Sequence, residues 1–91
     1  MALFIVRIEL HLALSSDYDV LHRSMAQAGF HRKIRDGSTD YNLPTAEYSI
    51  ESPANVFAIR DQAAQTAAVT GKAASVLAIE VKTIAWNLPV A

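Results

Sequence analysis

The feature that most constrains this chain is the alternation of side chains along its first strand-like segment. Every second residue from position 4 to position 12 is apolar, whereas the residues between them become polar from position 7 onward. This period of two is typical of a strand with one dry face and one wetter face. The apolar set is Phe4, Val6, Ile8, Leu10 and Leu12, and the polar alternates are Arg7, Glu9 and His11. We therefore expect other elements to cover the first set and solvent to reach the second.

A helix is predicted directly after this strand. Ser16, with Asp19 three residues later, approximates a capping box, and acidic residues suit the positive start of a helix. Apolar residues then recur at helical spacing, namely Tyr18, Leu21, Met25 and Ala28. The helix is expected over 17–27, with Gly29 as its C-terminal cap.

A hairpin and a second helix are predicted next. Residues 30–35 and 41–50 have extended patterns and flank the turn-forming segment 36–40, which predicts two antiparallel strands. Ser52, followed by a proline, predicts the start of a helix that ends at Gly71. The order so far is strand, helix, strand, strand, helix.

A last strand is predicted over 75–86, with Leu77, Ile79 and Val81 on its core side. Crossovers between strands are right-handed in nearly all proteins, so this β-α-β-β-α-β order predicts one four-stranded antiparallel sheet with strand order 4-1-3-2. Both helices would then cover one face. We expect a ferredoxin-like sandwich, an α+β fold, as a single domain over 1–91.

Composition limits where the chain works and what it binds. The formal net charge is -1 over 91 residues, so no global basic field would attract nucleic acid, and any such contact must be local. We expect no DNA partner. The chain has no cysteine, which excludes disulfides and thiolate catalysis and suits a reducing compartment. No leader-like or membrane-spanning segment is evident, so a cytoplasmic location and no membrane partner are expected.

Charged residues gather on the expected open face of the sheet. Arg7 should lie beside Glu47 on one neighbouring strand. On its other side it should meet Glu80 or Lys82. Cross-strand ion pairing is favoured over a functional site, because exposed charge pairs on sheets are common and individually weak.

A sharper hypothesis is a proton-transfer site for RNA cleavage at the end of strand one. His11 and Glu9, with Asp17 or Asp19 from the start of helix one, would supply the acid and base. A cation for the developing charge would come from Arg7 or Arg23.

The histidines predict neither a metal site nor a cofactor site. His22 lies at the flank of the apolar stripe of helix one, which favours a packed structural residue. The spacing of His11, His22 and His31 is not that of a metal site, so no metal is expected. Glycine-rich phosphate loops and dinucleotide motifs are absent from the sequence, so no cofactor is expected.

The basic cluster of the chain lies on predicted strand two, at an edge of the sheet. Lysine and arginine on edge strands commonly serve only to discourage aggregation. The alternative is RNA binding, in which the backbone follows the edge while a base stacks on an aromatic ring. The residues expected to contact RNA in that case are Arg7, His31, Lys33, Arg35 and Tyr41.

Five segments of the chain carry a family resemblance. They are Phe4–His11, Asp17–His22, Met25, Gly29–Phe30 and Leu43–Tyr48. Together they resemble a family of small bacterial proteins related to the GhoS antitoxin of type V toxin-antitoxin systems. The resemblance implies a ferredoxin-like domain, similar in fold to a small CRISPR-associated nuclease-like protein. It also implies an endoribonuclease, a hydrolase that cleaves the messenger RNA of a membrane-lytic toxin.

The resemblance directs attention to the first strand and the first helix. Helix one of the antitoxin looks richer in arginine, whereas this chain has His22 and Arg23 there. Strand one ends in Glu9, where the CRISPR relatives typically have aspartate. The candidate catalytic residues are His22, Arg23, Glu9 and His11.

Two other functions stay open at this point. The first is a non-enzymatic interaction module, a homodimer through the open sheet face or the strand-four edge, with Ile84 and Trp86 as contacts. The second is a small-molecule sensor domain, which rests only on fold analogy.

Overall fold

The computed structural model describes all 91 residues, and it contains five strands and two α-helices. The strands are β1 (Ala2–Leu10), β2 (Lys33–Asp36), β3 (Thr39–Asn42), β4 (Glu47–Ser52) and β5 (Ala74–Glu80). The helices are α1 (Ser15–Gln27) and α2 (Val56–Ala67), the latter followed by a short 3-10 helix over Ala68–Thr70. Neither α-helix is both long and apolar enough to cross a membrane.

β1 is the centre of a three-stranded antiparallel sheet with the order β4-β1-β5. Val6 lies opposite Tyr48 of β4 and opposite Ala78 of β5. The predicted position of the first strand, between the last strand and the strand that precedes helix two, is confirmed.

Both helices cover the same face of this sheet. The dry side of β1 is buried beneath them, and Phe4 and Val6 are fully inaccessible to solvent. One core joins these residues to side chains of both helices and of β4. Its members are Phe4, Val6, Ile8, Leu10, Leu21, Met25, Phe30, Tyr48, Ile59, Ala63 and Ala67. The mixed architecture of two helices and antiparallel strands is therefore confirmed.

The predicted single sheet of four strands in the order 4-1-3-2 is wrong. β2 and β3 form a separate two-stranded hairpin, and the segment before β2 joins the larger sheet through one bridge, between His31 and Ser49. The predicted third strand divides into β3 and β4. Pro44 has no amide hydrogen for a ladder, and Ala46 has a φ of 65°, which extended backbone does not tolerate. These two residues separate the hairpin from the sheet.

β5 presents the opposite side to the core from the one predicted. Leu77 and Ile79 are 57% and 49% exposed, whereas Val76 and Ala78 pack against the core. α2 lies over this strand and approaches it through alanines, so small side chains beneath it allow close packing. Because side chains alternate with a period of two, this shift of one residue moves the larger apolar set to the open face.

Both helices begin at residues other than the predicted ones. The amide of Leu14 donates to the carboxylate of Asp17 over 2.8 Å at the start of α1. At the start of α2, Asn55 accepts a hydrogen bond from the amide of Ala58 over 2.9 Å. Ser52, the predicted cap of this helix, is still part of β4.

Beyond β5 the chain returns to the hairpin. The predicted last strand ends early, at Glu80, and residues 81–91 form what we call the C-terminal segment. A bridge pairs Tyr41 of β3 with Val90 near the end of this segment. β5 is one edge of the three-stranded sheet and the hairpin lies beyond the other, so the C-terminal segment connects the two sides of the molecule.

Substitutions at neighbouring positions of β5 test its orientation. Val76→Asp places a carboxylate against the core and should lower the free energy of unfolding of the monomer by more than about 2 kcal/mol. Leu77→Asp places the same group on the open face opposite Arg7 and should change it by less than about 1 kcal/mol. Urea denaturation followed by circular dichroism measures both values. A larger loss for Leu77→Asp would contradict the orientation described here.

Candidate functional site

Three basic residues, His31, Arg32 and Lys33, lie along the outer edge of β4, and we call them the basic edge. His31 and Ser49 exchange two backbone hydrogen bonds, of 2.8 and 2.7 Å. Ser49 Oγ also donates to the carbonyl oxygen of Lys33 over 2.6 Å. Because backbone atoms anchor the segment, its three exposed side chains are left to contact other molecules.

Successive side chains of the basic edge lie on opposite sides of the sheet. His31 and Lys33 line a groove of about 480 Å³. The charge of Arg32 acts instead on His22 and Tyr48, on the helical side. This division follows from the alternation of an extended chain.

The groove contains one cation that is already neutralised. Arg35 donates to Asp40 through Nε over 2.8 Å and through a terminal nitrogen over 3.2 Å. The pairing raises the pKa of Arg35 and lowers the pKa of Asp40. Lys33 forms no ion pair. Of the two predicted RNA contacts on β2, Lys33 is therefore free and Arg35 is occupied within the hairpin.

A hydrogen bond between His22 and Tyr48 joins α1 to β4. His22 Nδ1 lies 2.6 Å from Tyr48 Oη, and the ring of Tyr18 lies 6.4 Å from the imidazole. Burial, reinforced by the positive charge of Arg32 and opposed by Asp19, lowers the pKa of His22. Burial raises the pKa of Tyr48 to about 12.

A phenol with a raised pKa keeps its proton near neutral pH, and a hydroxyl group can donate or accept, so the tautomer of His22 decides which member of the pair is the donor. In either tautomer the bond to Tyr48 engages Nδ1 of His22. This contact agrees with the packed structural role that the sequence favours for His22.

Glu9, His11 and Ser75 form a second polar cluster, at one end of the open face. His11 Nε2 lies 2.8 Å from Ser75 Oγ and 4.0 Å from Glu9 Oε1. A serine-histidine-acid relay needs the serine and the carboxylate on different ring nitrogens, whereas here both approach Nε2. The cluster is a set of surface contacts without the geometry of that relay.

The structure does not bring the four predicted catalytic residues together. Glu9 and His11 belong to the open face of the sheet, on the side opposite to the helices. His22 and Arg23 belong to α1, which covers the other side. Arg23 is exposed and forms no ion pair. The two pairs therefore lie on opposite sides of the sheet.

Arg7 occupies the middle of the open face. It lies opposite Glu47, as predicted, and opposite Leu77 instead of Glu80 or Lys82. No ion pair within 4.0 Å forms at Arg7, so the predicted cross-strand pairing is wrong. The carboxylates that share this face are Glu9, Glu47 and Glu51. His31 and Lys33 border the same side of the sheet beyond β4, where Glu51 lines their groove, so charges of both signs share this face.

Tyr41 is half-buried beneath the C-terminal segment. Its ring centroid lies 5.6 Å from that of Trp86, and the two ring planes meet at 57°. An RNA base that reached Tyr41 would therefore meet Trp86 as well.

Sequence reasoning missed two members of this region, Arg32 and Tyr48. Arg32 alternates with His31 and Lys33, and its side chain was therefore assigned to neither the open face nor a site. Tyr48 belongs to the core, where its side chain is fully buried. A buried tyrosine needs a partner for its hydroxyl, and the half-buried position of His22 was the signal that would have supplied one.

No group of three or more His, Asp or Glu side chains converges on a point that could hold a metal ion. No protein-family model, no curated protein and no solved structure matches this chain. The function is therefore inferred from the side chains themselves.

The pair of His22 and Tyr48 predicts a pH dependence of stability. The pKa of His22 is lower in the folded protein, so the unfolded chain binds this proton at a higher pH. The contribution of neutral His22 to the stability of the fold is fully present above the ordinary pKa near 6.5. This contribution is lost as pH falls from there through the folded-state pKa. We expect His22→Gln to lose less thermal stability than the parent between about pH 7.5 and about pH 5. Melting curves at both pH values measure this, and parallel losses in the two proteins would contradict it.

Proposed function

We propose that this chain is an RNA-binding protein of the GhoS-like antitoxin kind, which contacts single-stranded RNA through its basic edge. Two independent lines support the proposal. The first is the resemblance carried by segments of the first strand, the first helix and the region before β4. The second is the arrangement of cations at the edge of β4. A cytoplasmic location and a toxin messenger as the target are part of the proposal and rest on the resemblance alone.

The observation that carries the proposal is that Arg32 and Lys33 are exposed and form no ion pair. Arg35, Arg60 and Lys72 each have an acidic partner within 4.0 Å. The other cations without an ion pair, Arg7, Arg23 and Lys82, lie singly on three different parts of the chain, whereas Arg32 and Lys33 are adjacent. A phosphate contact needs a cation that is not already neutralised, and it gains free energy from the counterions that it releases. In a chain of net charge -1, binding must depend on such local cations.

We further propose that the fold is a variant of the ferredoxin-like sandwich. The neighbour order β4-β1-β5 and the two helices on one face support this assignment. In this variant the fourth strand is reduced to the bridge between His31 and Ser49, and the chain continues as a separate hairpin. The reduction leaves the basic edge uncovered, which suits a binding role.

RNA cleavage is a narrower proposal than RNA binding. Proton transfer from a ribose hydroxyl requires a group with a free acceptor beside the scissile phosphate. His22 is engaged at Nδ1 by Tyr48 on the helical side of the sheet. His11 lies beside β5, at the edge of the sheet opposite to the basic edge. We therefore propose binding as the function and assign cleavage only to a complex in which the RNA also reaches His11.

Charge reversal at the basic edge tests RNA binding. The double variant Arg32→Glu, Lys33→Glu should bind a labelled single-stranded RNA at least ~10-fold more weakly at low salt, because two phosphate contacts become repulsive. The slope of log affinity against log salt should also fall in magnitude by about 1.4. Fluorescence anisotropy at several salt concentrations gives both quantities.

A matched control is available on other surfaces. Arg60→Glu with Lys82→Glu makes the same change in net charge, and neither residue belongs to the basic edge. This control should retain most of the affinity, apart from a small loss common to both variants through net charge. Equal losses in the two double variants would assign the binding to net charge and would overturn the proposed site.

A homodimeric interaction module is the second candidate, and one observation favours it. Leu77 and Ile79 are 57% and 49% exposed on β5, which is an edge strand. Ile79 lies opposite Ile5 of the central strand, which is itself buried. Exposed apolar side chains beside an unpaired strand edge are typical of surfaces that associate. Trp86, a predicted dimer contact, packs instead on Tyr41 of the same chain.

Light scattering tests this candidate. A dimer through the open face would have twice the monomer mass of 9.9 kDa. Leu77→Asp, which leaves the core intact, should return it to the monomer. Val69→Asp introduces the same charge at a residue that is 65% exposed but lies outside the sheet, and should leave the dimer unchanged. A parent protein of monomer mass at high concentration would exclude the module.

A further inference from the structure

A second cleft lies where the C-terminal segment meets the hairpin. It has a volume of about 400 Å³ and is bordered by both parts. Tyr41 of β3 is paired with Ile34 of β2, and paired residues place their side chains on the same face. Asp36 lies two residues after Ile34 on β2, so its side chain is on that face as well. Asp36 and Tyr41 therefore share one face of the hairpin. Lys33 and Arg35 alternate with these residues and point to the other face.

The walls of this cleft combine aromatic rings with two polar groups. Tyr41 and Trp86 supply the rings, and Ile84 and Leu88 supply aliphatic surface. The ring planes of Tyr41 and Trp86 meet at 57° and do not stack face to face. Neither ring therefore covers the whole face of the other. Asp36 and Asn87 are the polar residues of the lining, and both are exposed. A cleft that combines aromatic rings with a few polar groups can hold a planar ligand and fix its orientation.

We infer that this cleft binds one guanine base of an RNA strand. The base stacks on the indole ring of Trp86, and the tilted ring of Tyr41 borders its edge. The Asp36 carboxylate accepts hydrogen bonds from guanine N1–H and from the exocyclic N2 amino group. The Asn87 side-chain amide donates to guanine O6. The inference rests on the proposed RNA binding and adds a base preference to it.

The choice of guanine follows from the donors that each base presents. Aromatic stacking is available to every base and gives affinity without discrimination. A carboxylate accepts hydrogen bonds and donates none, so it favours the edge with two adjacent N–H donors. Guanine alone presents such a pair on its Watson–Crick edge. Adenine and cytosine place a ring acceptor beside their amino group, and uracil places carbonyl oxygens on both sides of its one N–H, so each would oppose Asp36.

The cleft and the basic edge can serve one strand of RNA. Lys33 lies on β2, and Asp36 lies at the other end of the same short strand, on the opposite face. A strand of RNA that passes along the hairpin would place phosphates near Lys33 and turn one base toward Trp86. The two contacts differ in chemistry, because the first is sensitive to salt and the second is much less so.

The chain reports on this site through its own fluorescence. Trp86 is the only tryptophan of the sequence, and it lines the cleft. A base that stacks on the indole should quench its emission. The probes are a short oligouridine with one central guanosine, the same oligouridine without it, and guanosine monophosphate alone. Tryptophan emission and the anisotropy of labelled RNA are recorded in the same titrations.

We expect the guanosine-containing RNA to quench Trp86 and to bind at least ~10-fold more tightly than oligouridine. Asp36→Asn should remove most of this preference and leave the affinity for oligouridine unchanged. Asp61→Asn makes the same chemical change on α2, outside the cleft, and should keep the preference. Guanosine monophosphate should quench Trp86 at higher concentration, because it lacks the neighbouring phosphates.

The outcomes separate this inference from the proposed function. Equal binding of both RNAs without quenching would overturn the guanine site and leave RNA binding in place. Quenching by guanosine monophosphate with no RNA bound would overturn the proposed function and assign the cleft to a free nucleotide. Quenching that persists unchanged in Asp36→Asn would overturn the role of the carboxylate. No quenching and no RNA binding would overturn both.

Discussion

The burial of one side of β1 is the constraint on which the rest of the molecule depends. Phe4, Val6 and Ile8 are almost completely withdrawn from solvent beneath both helices, and burial of such side chains contributes roughly 1.5 to 3 kcal/mol each. A shift of the strand by one residue would place Arg7 and Glu9 in that core, at a prohibitive cost in desolvation. The register of β1 is thereby fixed. Because β4 pairs with β1, the position of the basic edge is fixed with it.

The sequence predicted those elements whose two faces differ in polarity. β1 alternates apolar with charged residues, so its core side could be assigned in advance. β5 is apolar on both sides, and what decides its orientation is the close approach of α2 over Val76 and Ala78. Side-chain size under a neighbouring helix is a tertiary property, which polarity alone does not reveal. The break in the predicted third strand has a similar cause, since an alanine such as Ala46 gives no signal of a positive φ.

One part of the candidate site could be predicted from the sequence, namely the part that follows from the alternation of side chains along one strand. The placement of His31 and Lys33 beside a groove agrees with the edge position expected for them. The pairing of His22 with Tyr48 joins residues 26 positions apart, and local patterns carry no information about it. It also engages Nδ1 of His22 in a contact with the core. Tertiary contacts thus decided which predicted residues remain available.

The distribution of ion pairs indicates where on the surface an anionic partner would bind. Arg32 and Lys33 stand without ion-pair partners at the edge of β4, although Glu51 lines the same groove as Lys33. At physiological ionic strength the Debye length is about 8 Å, so each phosphate responds mainly to charges in its immediate surroundings. A small net charge is therefore compatible with the proposed RNA binding. Arg7, Arg23 and Lys82 are also unpaired but lie singly on other parts of the chain, so the edge of β4 is where two unpaired cations adjoin.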